Sequence, residues 1–292
     1  MNNNLLLENY TKGLSSSGKT RTLFVRFAKD FLDFTDGDFS RERISKYVEH
    51  LKKEHRYSDG SVNFAFRVAR TVFNRNEVYL KEQGFEWPYR RGESPQIRED
   101  RIQAPALHPA TIGRLITRVR AEGDTDEKAF LALSTTYGLR RVEMVNLESN
   151  DIRLKDKTIH IVTAKHGRER THLIPEVIIP FLAGYDFSQK RSENFLFTLW
   201  YRIEHKIKLP HTDQVGWHSI RRSLNTMLLR KLQESSVMSF LRWKQRTSSH
   251  MPFRYSAQRF VGEEGETTEV VGDALDVDNE IFGVHPFLEF WR

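Results

Sequence analysis

The sequence predicts a mainly α-helical protein with one small three-stranded antiparallel β-sheet. Apolar residues recur at helical spacing through most of the chain. Only 150–175 switches to alternating, β-branched runs. At 292 residues, 38% of them hydrophobic and 12% aromatic, the chain holds enough apolar surface for two folded cores. The expected division is a helical domain over 1–91, a linker over 92–107, a second domain over 108–258 and an acidic tail over 259–292.

In the first domain, 19–34 reads as an amphipathic helix with Leu23, Phe24, Phe27, Phe31 and Phe34 on one side. A second helix spans 40–54 with Ile44, Tyr47, Val48 and Leu51 inward. Ser58-Asp59-Gly60-Ser61 breaks the pattern and caps a third helix, 62–83. Phe64, Val68, Val72, Phe73 and Leu80 face its core, while Arg67, Arg70 and Arg75 point outward. Cations displayed along a helix suit phosphate oxygens, although a solvated face has the same appearance. Pro95, Pro105 and Pro109, with many charges and no periodicity, mark the linker.

The second domain opens with a helix carrying Ile112, Leu115, Ile116 and Val119, then a Gly123-Asp124 break and an Ala- and Leu-rich helix over 126–135. Gly138 allows a sharp turn, placing Arg140 at a helix start with Glu143 one turn on, near enough to orient its guanidinium. Strands follow at 152–154, 158–162 and 171–175, with Asp156-Lys157 as the first turn. Lys165-His166-Gly167-Arg168 makes the second turn, a basic hairpin tip. The remainder is helical at 177–184, 197–208 and 218–232, with shorter pieces at 236–243 and 249–255.

The formal net charge is +7, which favours a polyanionic partner such as nucleic acid. Residues 256–292 carry two basic and nine acidic side chains, a net −7, so the body before them holds +14. There is no cysteine, which excludes disulfides and thiolate metal sites. The longest apolar run, 177–183, is broken by Pro180 and cannot span a bilayer, so a cytoplasmic protein acting away from membranes is expected. Neither a glycine-rich nucleotide loop nor a clustered carboxylate set is present, and no cofactor or metal is expected.

One constellation carries chemistry. Arg140 follows a glycine turn, Lys165 sits on a β-turn, and His218-Ser219-Ile220-Arg221 places a histidine and an arginine one helical turn apart. Trp243 and Tyr255 come after. Cationic and indole donors, a proton carrier and a phenol are what a phosphodiester-cleaving site requires. The stretches Tyr137-Gly138-Leu139-Arg140-Arg141-Val142-Glu143, Ala164-Lys165-His166-Gly167-Arg168 and His218-Ser219-Ile220-Arg221-Arg222-Ser223 stand in an order that resembles the catalytic domain of the tyrosine recombinases, the phage-integrase family. The resemblance covers roughly 108–256, and less specifically the N-terminal helices, which resemble the family's core-binding domain. This chain has Arg242-Trp243 where the family often has a glycine–histidine pair, and Tyr255 follows Trp243 at a longer interval than usual.

The resemblance implies a C-shaped clamp of two domains on double-stranded DNA, a tetramer on a specific recombination site, and strand exchange through a Holliday junction, with accessory DNA-bending proteins possible. Arg140 and Arg221 would neutralise the phosphate oxygens and Tyr255 would attack phosphorus. Lys165 would protonate the departing 5′ oxygen, His218 would manage the tyrosine proton or hold the phosphate, and Trp243 would donate its indole N–H. Glu143 would support Arg140, and Arg67, Arg70, Arg75, Arg168 and Arg222 would contact DNA. Tyr185 and Tyr201 precede the histidine box and are read as core or surface residues. A type IB topoisomerase-like enzyme, a hairpin resolvase, and a DNA-binding protein that has lost catalysis are the other readings. The apolar residues scattered through the acidic tail, from Val270 to Trp291, suit either docking on a neighbouring protomer or packing on their own domain.

Overall fold

A computed structural model describes residues 2–15, 18–90, 93, 105–163, 169–211, 215–243, 259–261, 267–269 and 274–292. The chain forms two compact units, Met1–Ile102 and Gln103–Arg292.

The first unit is built from α1 (Asn3–Lys12), α2 (Gly18–Thr35), α3 (Arg41–Lys53), α4 (Asp59–Arg75) and α5 (Glu77–Glu82). Its core is aromatic: Tyr10, Phe31 and Tyr47 are fully buried, and Phe31 meets Tyr47 edge-on at 5.4 Å. Ser40 and Ser58 cap α3 and α4 by accepting from the backbone N–H of Arg43 and Ser61. The helix expected over 62–83 is instead two helices broken at Asn76, whose backbone leaves the helical region. Asn76 is buried, and its amide donates to the carbonyls of Leu6 and Val72 while its side-chain oxygen accepts from Asn9. A short polar side chain that bonds the backbone this way ends a helix, and here it also ties α4 to α1. Helix α1 escapes the periodicity argument because Leu6 and Tyr10 are its only buried residues. Leu23, expected inward, is 38% exposed.

The second unit is organised around α7 (Thr125–Tyr137), whose residues from Ala129 onward are all buried. A helix enclosed on every side belongs at the centre of a domain. Packed against it are α6 (Pro109–Glu122), α9 (Ile179–Ala183), α10 (Glu193–Lys206) and α11 (Trp217–Leu229). Asp124 starts α7 with a reciprocal cap: the Glu127 N–H donates to the Asp124 carboxylate, and the Asp124 N–H donates to that of Glu127. The short α8 (Arg141–Val145) follows the Gly138 turn, and α12 (Glu234–Phe240) follows α11.

The expected sheet is present, with β1 (Ile152–Arg153), β2 (Thr158–Ile161) and β3 (Arg170–Leu173) antiparallel in that order. Ile152 pairs with Ile159, and Ile159 with His172, which sends Ile159, Ile161, Arg170 and His172 toward the core. A second hairpin joins β4 (Arg259–Val261) to β5 (Thr267–Glu269).

The described part of the C-terminal segment packs within the second unit. Helix α13 (Ala274–Gly283) packs on β3 and α12, and a 3-10 turn, Leu288–Trp291, packs on α6 and α7. Ile281 and Phe287 are fully buried, and Trp291 nearly so. Trp291 Nε1 donates to Thr135 Oγ1 at 3.1 Å, and His285 Nε2 bonds the Thr136 carbonyl at 3.0 Å. A Cβ on Gly113 would lie 2.8 Å from the Phe290 ring, so α6 is shaped to receive this segment. Residues 276–292 thus complete the core of their own unit.

Replacing Trp291 by alanine removes a buried indole and orphans the Thr135 hydroxyl, so a loss of about 3–5 kcal/mol is expected. Denaturant unfolding should show that loss in the transition of the second unit alone.

Candidate active site

The site begins at Gly138, which closes α7 in the left-handed conformation, φ +59°. Glycine adopts this geometry without the penalty a Cβ incurs. A Cβ there would also press on Leu241, Arg221 and Leu224 at 3.2–3.3 Å. The turn aims Arg140 at the start of α8. The Arg140 N–H donates to Glu143 Oε2 at 2.9 Å, and its Nη1 donates to Glu143 Oε1 at 2.5 Å. Glu143 is buried, whereas the Arg140 side chain remains 22% exposed. Glu143 thus fixes one edge of the guanidinium while part of the group faces solvent.

Arg221, on α11, is 2% exposed. Its Nη1 donates to the Gly138 carbonyl and its Nη2 to the Leu241 carbonyl, both at 2.6 Å. Its guanidinium lies 5.5 Å from the centre of the Trp243 ring, a cation–π contact that holds the plane. Two carbonyls hold this cation but do not neutralise it. Burial, reinforced by the charges of Arg242 and Arg140, pushes its pKa down to about 9. It is still charged at neutral pH, in a place where an anion would be strongly favoured.

His218 stands one turn before Arg221, in the first turn of α11, and is exposed. The dipole of that turn adds positive potential near the helix start. Among the described residues, the one carboxylate paired with Arg140 and Arg242 is Glu143, and Arg221 has no carboxylate ion pair, so these four groups carry a surplus of positive charge. Burial opposes ionisation of Glu143, but the charge of Arg242 and the hydrogen bonds of Arg140 outweigh it and hold the carboxyl below its ordinary range.

The structure therefore brings together Arg140, Glu143, Arg221 and Trp243, with His218 on the same helix as Arg221. Lys165, Arg168 and Tyr255 lie outside the described residues. Arg67 and Arg70 are exposed on α4 of the first unit. Arg75, although accessible, donates to the Tyr10 carbonyl at 2.6 Å and stacks on that ring, so it secures α1. Arg222 donates to the Pro105 carbonyl and holds the segment entering α6. Tyr185 packs on Phe130 and Phe187 in the core, and Tyr201 is a surface residue beside His205 and His211.

Sequence reasoning missed the layer behind these groups. Arg242 is fully buried and bonds Glu143 and His172. His172 in turn meets Asp278 of α13, which also pairs with Arg170 at 2.9 Å. The one signal was a histidine at an inward position of β3. Among the described residues no group of three or more His, Asp or Glu side chains could hold a metal ion, and no helix is long and apolar enough to cross a membrane.

No family model matches the chain. Among curated proteins, it is 23% identical over 230 residues to tyrosine recombinase XerA of Saccharolobus solfataricus, covering 73% of this chain and 77% of that protein. It is 22% identical over 243 residues to tyrosine recombinase XerA of Thermococcus kodakarensis, covering 77% and 82%. Among solved structures, it superposes on lambda integrase residues 75–356 bound to DNA with a TM-score of 0.64 at 12% identity, covering 86% of this chain and 95% of that one. The integrase of the Tn1549 transposon, in complex with transposon right-end DNA, gives a TM-score of 0.60 at 12% identity, covering 85% and 96%. The chain thus has the fold of these tyrosine recombinases and integrases, and its likeness to them in sequence is low.

Burial holds His172 and His285 neutral, each with its pKa pushed from 6.5 to about 4. The unfolded chain binds protons in that window and the folded chain does not, so their contribution is complete above pH 6.5 and is lost as pH falls toward 4. The unfolding free energy from denaturant titrations across this range should fall for the second unit by several kcal/mol, about 3 for each histidine.

Proposed function

We propose that this chain is a site-specific DNA recombinase that cleaves and rejoins strands through a 3′-phosphotyrosyl intermediate. The observation that carries the reading is the pair Arg140 and Arg221. Two guanidinium groups are fixed by Glu143, Gly138 and Leu241, and surplus positive charge is left beside the first turn of α11. The names of the curated relatives and the fold of the DNA-bound integrases support the same reading.

In the proposed reaction a phosphodiester enters this pocket and its non-bridging oxygens meet Arg140 and Arg221. Negative charge grows on those oxygens as the nucleophile approaches, so cations already fixed in place lower the barrier without reorganising. Trp243 keeps the Arg221 plane oriented and shields one side of the phosphate from water. The Tyr255 hydroxyl attacks phosphorus, its proton leaves through His218, and Lys165 protonates the departing 5′ oxygen. The phosphotyrosyl ester conserves the energy of the broken strand, so the reverse attack by a DNA hydroxyl needs no nucleotide cofactor.

Double-stranded DNA carrying a recombination site is the proposed partner, and a tetramer the proposed assembly. Lambda integrase is known as a tetramer bound to a Holliday junction. The proposed domain division keeps 1–91 as the core-binding domain and 108–258 as the catalytic domain, to which 276–292 contribute core residues. A soluble protein acting on chromosomal or mobile-element DNA suits these partners.

Covalent trapping tests the chemistry. Wild type and Tyr255→Phe are incubated with nicked duplexes taken from the DNA flanking the coding sequence, then denatured in detergent. Wild type should give a protein–DNA adduct mapping to Tyr255, and the variant none. An adduct on another tyrosine would contradict the assigned nucleophile. Tight binding without adduct on any fragment would favour a DNA-binding protein without catalysis.

Arg67 and Arg70 should act on DNA affinity alone. Replacing either by alanine should weaken binding about equally across sequences and reduce the salt-dependence slope by about 1. An unchanged slope in electrophoretic or fluorescence titrations would remove them from the interface.

A further inference from the structure

Arg242 sits where an arginine is costly to place. It is 1% exposed, and its backbone lies in the left-handed region, φ +58°, where side chains are seldom found. Both features are unfavourable, so they persist because the surroundings hold them. Arg242 Nη1 approaches His172 Nε2 at 3.1 Å and donates to the Phe240 carbonyl at 3.2 Å. Nη2 donates to Glu143 Oε2 at 3.3 Å and approaches the Tyr137 carbonyl at 3.4 Å.

These bonds have only one possible polarity. A guanidinium donates and cannot accept, so His172 Nε2 must be the acceptor and His172 must be neutral. Its proton is therefore on Nδ1, which donates to Asp278 Oδ1 at 3.0 Å. Asp278 is fully buried, and its other oxygen accepts from the Leu173 N–H at 2.8 Å. A hydrogen-bonded chain thus links Asp278 on α13, through His172 and Arg242, to Glu143, which also accepts from the guanidinium of Arg140.

We propose that Arg242 and Asp278 are positioning residues for Arg140, through which the C-terminal helix sets the geometry and free charge of the site. The proposal rests on the reading of Arg140 as a phosphate-binding residue. Arg242 acts in two ways. It anchors the Glu143 oxygen that also accepts from the Arg140 backbone, so the carboxylate cannot rotate away. It also shares the single negative charge, so Arg140 is not neutralised by Glu143 and stays attractive to a phosphate. Asp278 keeps the imidazole in the tautomer that can accept from Arg242. Without it, a proton on Nε2 would set donor against donor and drive Arg242 away.

The test uses the full chain with Arg242→Met, Arg242→Lys and Asp278→Asn. Adduct formation on a nicked duplex is timed in single turnover, DNA affinity is measured separately, and the His172 tautomer is read by nitrogen NMR. Affinity should stay near the wild-type value, because the proposed phosphate contacts of Arg67 and Arg70 are untouched. The adduct rate should fall on the order of 10- to 100-fold in Arg242→Met and Asp278→Asn, a size typical of a misplaced catalytic group. Arg242→Lys, which can still donate to Glu143, should recover part of the rate. His172 should carry its proton on Nδ1 in the wild type and shift toward Nε2 in Asp278→Asn. If Arg242→Met does not fold, the rate and affinity of Arg242→Lys carry the test. Wild-type adduct rates in the folded variants, or an Nε2 proton in the wild type, would overturn the proposal alone. A wild type that forms no adduct while binding DNA overturns the recombinase reading and this proposal with it.

Discussion

The second unit buries two guanidinium groups, Arg221 and Arg242, and among the described residues only Arg242 meets a carboxylate, that of Glu143. Removing such charges from water costs several kcal/mol each even after relaxation, and nearby attraction must offset it. Here the offset comes mostly from carbonyls at chain turns: Gly138, Leu241, Phe240 and Tyr137. Those carbonyls are available because α7 ends in a left-handed turn and α12 ends just before Trp243. Helix ends leave carbonyls unpaired, and this fold directs two such ends at the same pair of cations. Among the described residues the compensation is incomplete, and the proposed phosphate would complete it.

The same constraint explains why the C-terminal segment is folded into the unit. Arg242 needs a neutral imidazole beside it, that imidazole needs an acceptor for its proton, and Asp278 on α13 is that acceptor. Asp278 also pairs with Arg170, so the hairpin strand β3, the helix before Trp243 and the C-terminal helix share one buried polar network. Breaking any member leaves a charge in a low-dielectric interior, which is far more costly than losing one exposed ion pair. Around it, His285, Phe287 and Trp291 fasten the chain end to α7, the helix whose terminal turn holds Arg221.

How much of this was legible in the sequence depends on the distance over which each feature is determined. The helices of 19–34 and 40–54, the Gly138 turn and the three strands are set by residues a few positions apart, and periodicity and turn chemistry found them. Arg140 with Glu143 is likewise a one-turn relation, as is His218 with Arg221. Asn76 was missed because a single asparagine inside an apolar pattern breaks a helix only when a tertiary partner, here Leu6, rewards it. Asp278 was counted among the acids of a tail because charge averaged over a segment is blind to its partners, which lie more than 100 residues away. Arg242 was noticed only as a departure from an expected pair, since its role exists only once β3, α8 and α13 are assembled. Local geometry exposed Arg140, Glu143, His218 and Arg221, and folding brought Arg242, His172 and Asp278 behind them from parts remote in sequence.

The central claim is that the Arg140–Arg221 cluster is an oxyanion site. Anomalous diffraction from crystals soaked in tungstate tests it without knowledge of the DNA target. The account predicts a peak within hydrogen-bond reach of both guanidinium groups, beside the first turn of α11 that carries His218. Peaks confined to exposed arginines such as Arg67 and Arg70, with none at the cluster, would contradict it.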